Sequence, residues 1–111
     1  MYKVRFYEER SGKRPIREFI DSSQKSMRVK IDRQIAYMQR FGLTTANPSL
    51  KKLSGTPLWE VRILGRDSVR IICVAIINKE IFIVHIFKKK SNKTLPKDIY
   101  LALKRYQALD K

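Results

Sequence analysis

The sequence predicts an α+β domain: a mainly antiparallel sheet, made of a first strand plus a three-strand meander, packed by an N-terminal helical hairpin and a C-terminal helix. Three observations predict it. Leu58 to Leu64, Val69 to Ile77 and Ile81 to Phe87 are short β-branched and aromatic runs separated by turn residues, Gly65-Arg66-Asp67 and Asn78-Lys79. Upstream, apolar residues recur at helical spacing in two adjacent stripes, and a third such stripe closes the chain.

In order, Tyr2 to Glu8 reads as a strand, with Tyr2, Val4 and Phe6 on one side and Lys3, Arg5 and Tyr7 on the other. Gly12 and Pro15 end it. Pro15 suits the first turn of a short helix carrying Ile16, Phe19 and Ile20 and stopping near Ser22-Ser23. A second helix runs from about Gln24 to Phe41 on the stripe Met27, Ile31, Ile35 and Met38, with Gly42 as its stop. Leu43 to Pro57 keeps no period and reads as a connection into the sheet. The last helix is expected from about Pro96 to Leu109, with Ile99, Ala102, Leu103, Tyr106 and Leu109 on one stripe.

Strand register decides where the polar groups fall. A two-residue loop at Gly65-Arg66 would set Arg70 opposite Val61 and drive a charge into the apolar face. A three-residue loop instead pairs Arg62 with Arg70, Val61 with Ile71 and Trp59 with Cys73. A two-residue Asn78-Lys79 loop then sets Phe87 opposite Arg70 and His85 opposite Ile72. Glu60, Arg62, Arg70, His85 and Phe87 are thereby expected on one face. Trp59, Val61, Ile63, Ile71, Cys73, Val84 and Ile86 are expected in the core on the other. Like charges set abreast on a sheet cost roughly 0.2–1 kcal/mol, so the arginine pair reads as a place for an anion.

One domain over residues 1–111 is expected from the length. The chain carries 25 Lys and Arg against 10 Asp and Glu, a formal charge of +15, and the excess is spread over both halves. A basic surface of this kind attracts polyanions, nucleic acid first among them. The one cysteine, Cys73, sits in an apolar run and reads as a buried thiol of a reducing compartment. No segment approaches the roughly 20 apolar residues of a membrane span and none looks like a leader, so a cytoplasmic protein without membrane contact is expected. One histidine and one cysteine do not make a metal site, and no cofactor is expected.

Leu58-Trp59-Glu60-Val61-Arg62, then Arg70, then His85-Ile86-Phe87-Lys88-Lys89-Lys90-Ser91-Asn92-Lys93-Thr94-Leu95-Pro96 before a terminal helix resembles the RelE/ParE toxin superfamily, in particular its HigB-like, phage-related branch of type II toxin–antitoxin systems. The resemblance implies a microbial-ribonuclease-like (RelE-like) fold and metal-independent cleavage of messenger RNA at the ribosome, which inhibits translation. It also implies a cognate antitoxin, commonly a helix-turn-helix DNA-binding protein. By position, Arg62 matches a basic residue of the strand that faces the substrate phosphate, Arg70 matches the arginine of the following strand, and Lys89 or Lys90 falls near the basic residue after the last strand. The chain departs from the pattern at Glu60, where ribosome-dependent relatives often carry a basic group, and at Leu95, which interrupts a lysine-threonine-proline ending.

Such cleavage needs a proton acceptor for the 2′-hydroxyl, positive charge at the phosphorane and an acid for the leaving oxygen. Arg62 and Arg70 supply the charge as planar donors matched to phosphate. His85 and Glu60 are the candidates for proton transfer. Each also has a plain reading, His85 as a structural strand residue and Glu60 as a salt-bridge partner. Phe87 stacks on a splayed base or packs on the terminal helix. Lys88, Lys89, Lys90 and Lys93 form a basic run for RNA and ribosome backbone. Two other functions fit the same features: a gyrase poison of the ParE type, and a non-catalytic nucleic-acid-binding module.

Overall fold

In chain order the computed structural model runs β1 (Lys3–Phe6), α1 (Pro15–Ser22), α2 (Lys25–Phe41), β2 (Leu50–Lys52), β3 (Leu58–Ile63), β4 (Val69–Ile76), β5 (Glu80–Lys88) and α3 (Pro96–Gln107). It describes residues 1–65, 68–89 and 94–109. The strands form one sheet in the order β1-β5-β4-β3-β2, antiparallel except where β1 lies parallel to β5. This is the α+β architecture that the patterning predicts, consistent with a RelE-like fold.

Local chemistry sets the element ends. Pro15 opens α1, and the Ser23 hydroxyl closes it on the Phe19 carbonyl at 2.7 Å. Gly42 ends α2 at φ 73°, and a β-carbon there would meet the Tyr2 ring at 2.6 Å. Glycine is therefore required twice, by the backbone and by the close approach of Tyr2. That approach, with the Tyr2 amide donating to the Gln39 carbonyl at 2.7 Å, ties β1 to the end of α2.

The β3–β4 register is the expected one, with Arg62 opposite Arg70, Val61 opposite Ile71 and Trp59 opposite Cys73. Arg70 also faces Phe87, and Ile72 faces His85. The route to that second register differs from expectation. Ile76 pairs with Glu80, so the turn holds Ile77, Asn78 and Lys79, with the last two at positive φ. A bulge between Ile72 and Cys73 then shifts the pairing by one residue and restores the register at His85. One consequence corrects the expected core. Val84 sits in the bulge and packs with Leu58, Ile72 and Val74, not with Ile86.

The sheet is covered on both faces, where one was expected. Ile16, Ile20, Ile31 and Met38 of the hairpin pack on Val61, Ile63, Ile71, Cys73 and Ile83. On the opposite face, Ala102 with Ile99, Leu103 and Tyr106 of α3 packs on Leu58, Ile72, Val74 and Val84. The physical reason lies in β4, whose first six residues are all buried. An apolar run such as Ile71 to Val74 needs two covered faces. The segment 43–57 also contains an element that periodicity missed, the three-residue edge strand β2, whose Leu50 packs inward while Lys51 and Lys52 stay exposed and blunt the edge. No helix among the described residues is long and apolar enough to cross a membrane.

Candidate functional site

α3 covers only part of its face of the sheet. Where β3 ends and β4 begins, a charged cluster forms around Glu60. The Arg70 guanidinium donates to Glu60 Oε1 through Nη1 at 2.7 Å, and Arg62 Nε stands 3.6 Å from the same oxygen. The Thr94 hydroxyl donates to Glu60 Oε2. Glu60 is 2% exposed and Arg70 7%, whereas the Arg62 side chain is 43% exposed. The charge between the abreast arginines is thus the protein's own carboxylate, which offsets the like-charge cost of the pair.

The balance of forces on Glu60 is legible. Burial raises its pKa, but the Thr94 hydroxyl, the charge and hydrogen bond of Arg70 and the charge of Lys89 outweigh burial and hold it below the usual carboxylate value. Lys89 belongs to the same field. Burial and the charges of Arg70 and Arg62 pull its ammonium down, against the opposite pull of Glu60 and Asp98. Its amide continues the ladder past β5 by donating to the Ser68 carbonyl at 2.8 Å. Arg70 Nε is buried and finds no acceptor among the described residues. An unmet buried donor of this kind costs about 1–3 kcal/mol, a cost that an incoming anion would remove.

His85 lies in the same row as Glu60, separated from it by Ile72. Its partners come from α3. Its Nε2 is 2.9 Å from Asp98 Oδ1, and Arg105 Nη1 is 3.4 Å from its Nδ1. An arginine only donates, so Nδ1 accepts and Nε2 carries the hydrogen given to Asp98. Arg105 also donates to the Val84 carbonyl in the bulge at 3.0 Å. Burial, with the Arg105 charge, holds the His85 pKa below its ordinary value despite the hydrogen bond and charge of Asp98. The ring is therefore neutral near pH 7 with both nitrogens engaged. Phe87 stacks on it at 4.8 Å and packs beneath α3.

A family model of phage-derived Gp49-like proteins (DUF891) matches residues 18–107, from within α1 to the last residue of α3, and so spans the whole charged cluster. The chain belongs to the Gp49-like family. This family lies in the RelE/HigB-like toxin group and is commonly toxin-like. No curated protein matches the chain.

Of the residues that the sequence of this Gp49-like protein singles out, Glu60, Arg62, Arg70 and Lys89 come together, while His85 and Phe87 join a separate α3-bound group. Lys88 ends β5 on the exposed side. Lys90 and Lys93 lie outside the described residues. Cys73 is fully buried, its thiol pushed up to about 12 by burial, as a core residue would be. Sequence reasoning missed Thr94, Asp98 and Arg105. For the last two a signal existed: Asp98, Ala102 and Arg105 recur at spacings of four and three, which puts both charges on the face that buries Ala102.

Proposed function

We propose that this Gp49-like protein is the toxin of a type II toxin–antitoxin pair and cleaves messenger RNA at the ribosome without a metal, and that a helix-turn-helix antitoxin restrains it. The observation that carries the reading is the Arg62–Glu60–Arg70 cluster with Lys89 beside it: cations arranged around one ionised carboxylate, with a buried arginine donor unspent.

In this mechanism a phosphodiester takes the guanidinium groups of Arg62 and Arg70, whose planar donors match phosphate oxygens. Drawing those charges off Glu60 raises its proton affinity at the moment a proton must be taken. The 2′-oxygen forms its bond to phosphorus as Glu60 accepts the proton. The bond from phosphorus to O5′ then breaks, and Lys89 gives O5′ a proton. The products are a 2′,3′-cyclic phosphate and a 5′-hydroxyl. Glu60 is preferred to His85 for the proton because the arginines that hold it are the groups that the phosphate takes, whereas the partners of His85 come from α3 and stay on it.

A second reading has one observation of its own. Because His85 is tied up and Glu60 is buried, no proton acceptor among the described residues stands open to solvent in the cluster, which fits a gyrase poison that needs none. A translating extract separates the two. The ribonuclease reading predicts new 5′-hydroxyl ends inside reading frames; intact transcripts with DNA breaks in the presence of gyrase would replace it with the ParE-type reading.

A further inference from the structure

Around the sheet edge from the charged cluster, a cleft of about 510 Å³ lies between α2 and the end of β3. That is within the roughly 300–1,000 Å³ of small-molecule sites. Arg62 and Arg70 line it from the sheet, and Lys30 and Arg33 from α2. Among the described residues no acidic one lines it. Spaced by three on the helix, Lys30 and Arg33 fall on one face, beside the buried stripe that includes Ile31. Neither has a carboxylate partner among the described residues, and five of the ten acidic residues of this basic chain are held in ion pairs with other groups.

The wall between them is built. Buried Asn47 donates to Gln34 Oε1 at 3.1 Å, Gln34 donates to Ser49 Oγ at 3.3 Å, and the Ser49 carbonyl accepts from the Arg62 amide at 2.8 Å. This chain of bonds fixes the helix against the strand that carries Arg62. Lys30 gives one hydrogen to the Leu64 carbonyl at 2.9 Å and keeps two donors. Leu64, 72% exposed, stands at the rim as an apolar surface.

We infer that this cleft is a nucleotide subsite: it holds the single-stranded RNA next to the reactive phosphate, with that neighbour's phosphate on Lys30 and Arg33 and its base or sugar against Leu64. Arg62 and Arg70 belong to both the cluster and the cleft, so the strand turns from one into the other without leaving positive charge. The inference rests on the ribonuclease reading only in taking RNA as the strand, because binding here requires no cleavage.

The test is the salt dependence of binding a fluorescent pentanucleotide whose 2′-positions are methylated, so that attack is blocked. Each phosphate contact to a single strand contributes about 0.7 to the slope of log affinity against log salt. Lys30→Gln with Arg33→Gln, which together hold one phosphate, is expected to lower that slope by about 0.7, and Arg33→Gln alone, at an exposed helix position, by less than that. Arg10→Gln with Lys13→Gln, an equal charge loss on the exposed β1–α1 connection, is the control and is expected to change it by less than half as much. Equal changes in the two double variants would mean a diffuse field and overturn the subsite. So would an unchanged slope in the cleft variant, or a poly-aspartate peptide that binds the wild type as tightly as the RNA and loses as much in the cleft variant. If the cleft variants behave as expected but the wild type never cuts messenger RNA in a translating extract, the subsite stands and the ribonuclease reading falls.

Discussion

Two charged groups share one face of the sheet and differ in how they are closed. Around His85, both ring nitrogens are spent: one on Asp98, the other against Arg105, whose guanidinium also serves the Val84 carbonyl. Around Glu60 the group is left open, with Arg70 Nε unmet among the described residues, Arg62 half in solvent and Lys89 nearby. Residue type alone would rank the histidine first as a catalytic group. The geometry ranks it second, because a group can act on a substrate only through donors and acceptors that the fold has not already used.

The largest expected effect breaks the open group. Arg70→Ala leaves the Glu60 carboxylate buried without its closest cation, and removing one partner of a buried pair costs about 3–5 kcal/mol; chemical denaturation should show a midpoint lowered accordingly. An unchanged midpoint would mean that water reaches Glu60 freely. In the closed group, Asp98→Ala leaves the His85 Nε2 hydrogen without its acceptor and is expected to cost about 1–3 kcal/mol, while RNA cleavage stays near wild type. Cleavage lost in proportion well beyond the folded fraction would make Asp98 and His85 a working pair.

The smallest effects are in pH, and they separate the two groups by window. The His85 pKa is lowered on folding, so between its folded value and the ordinary value of about 6.5 the unfolded chain binds more protons. Stability therefore falls as pH drops below about 6.5, and His85→Gln should flatten that limb of the curve. Glu60, lowered from 4.5, acts in the same direction at lower pH: its contribution is complete above about 4.5 and is lost as pH falls through its folded value. Glu60→Gln should flatten the acid limb only. A stability curve indifferent to His85→Gln above pH 5 would contradict the neutral, doubly bonded ring.

How much of this the sequence held depends on the kind of constraint. The arginine pair was legible because side-chain alternation and the need for an apolar face admit a single β3–β4 register, which places Arg62 beside Arg70. The two-residue turn expected at Asn78-Lys79 was not right, yet the Arg70–Phe87 pairing was, because the longer turn and the bulge at Val84 cancel. Periodicity cannot see such compensation. Edge strand β2 was too short to show a period at all. The second covered face was present in the unbroken apolar run that starts at Ile71, which alternation within a half-buried strand would not produce. That Glu60 sits between the arginines is a matter of side-chain reach, and pairing alone does not contain it.

The most direct test of the central claim is to map transcript 5′ ends after brief induction of the wild type, Arg62→Ala and His85→Gln in a bacterial host. Arg62 is the informative choice at the open group, because its exposed side chain can be removed with little strain on the fold. The account predicts new ends inside reading frames for the wild type and for His85→Gln, and a fall of about 10²-fold for Arg62→Ala, the scale of losing one donor to a transition-state charge. Ends that persist in Arg62→Ala and vanish in His85→Gln would reverse the assignment and make the closed group the active one.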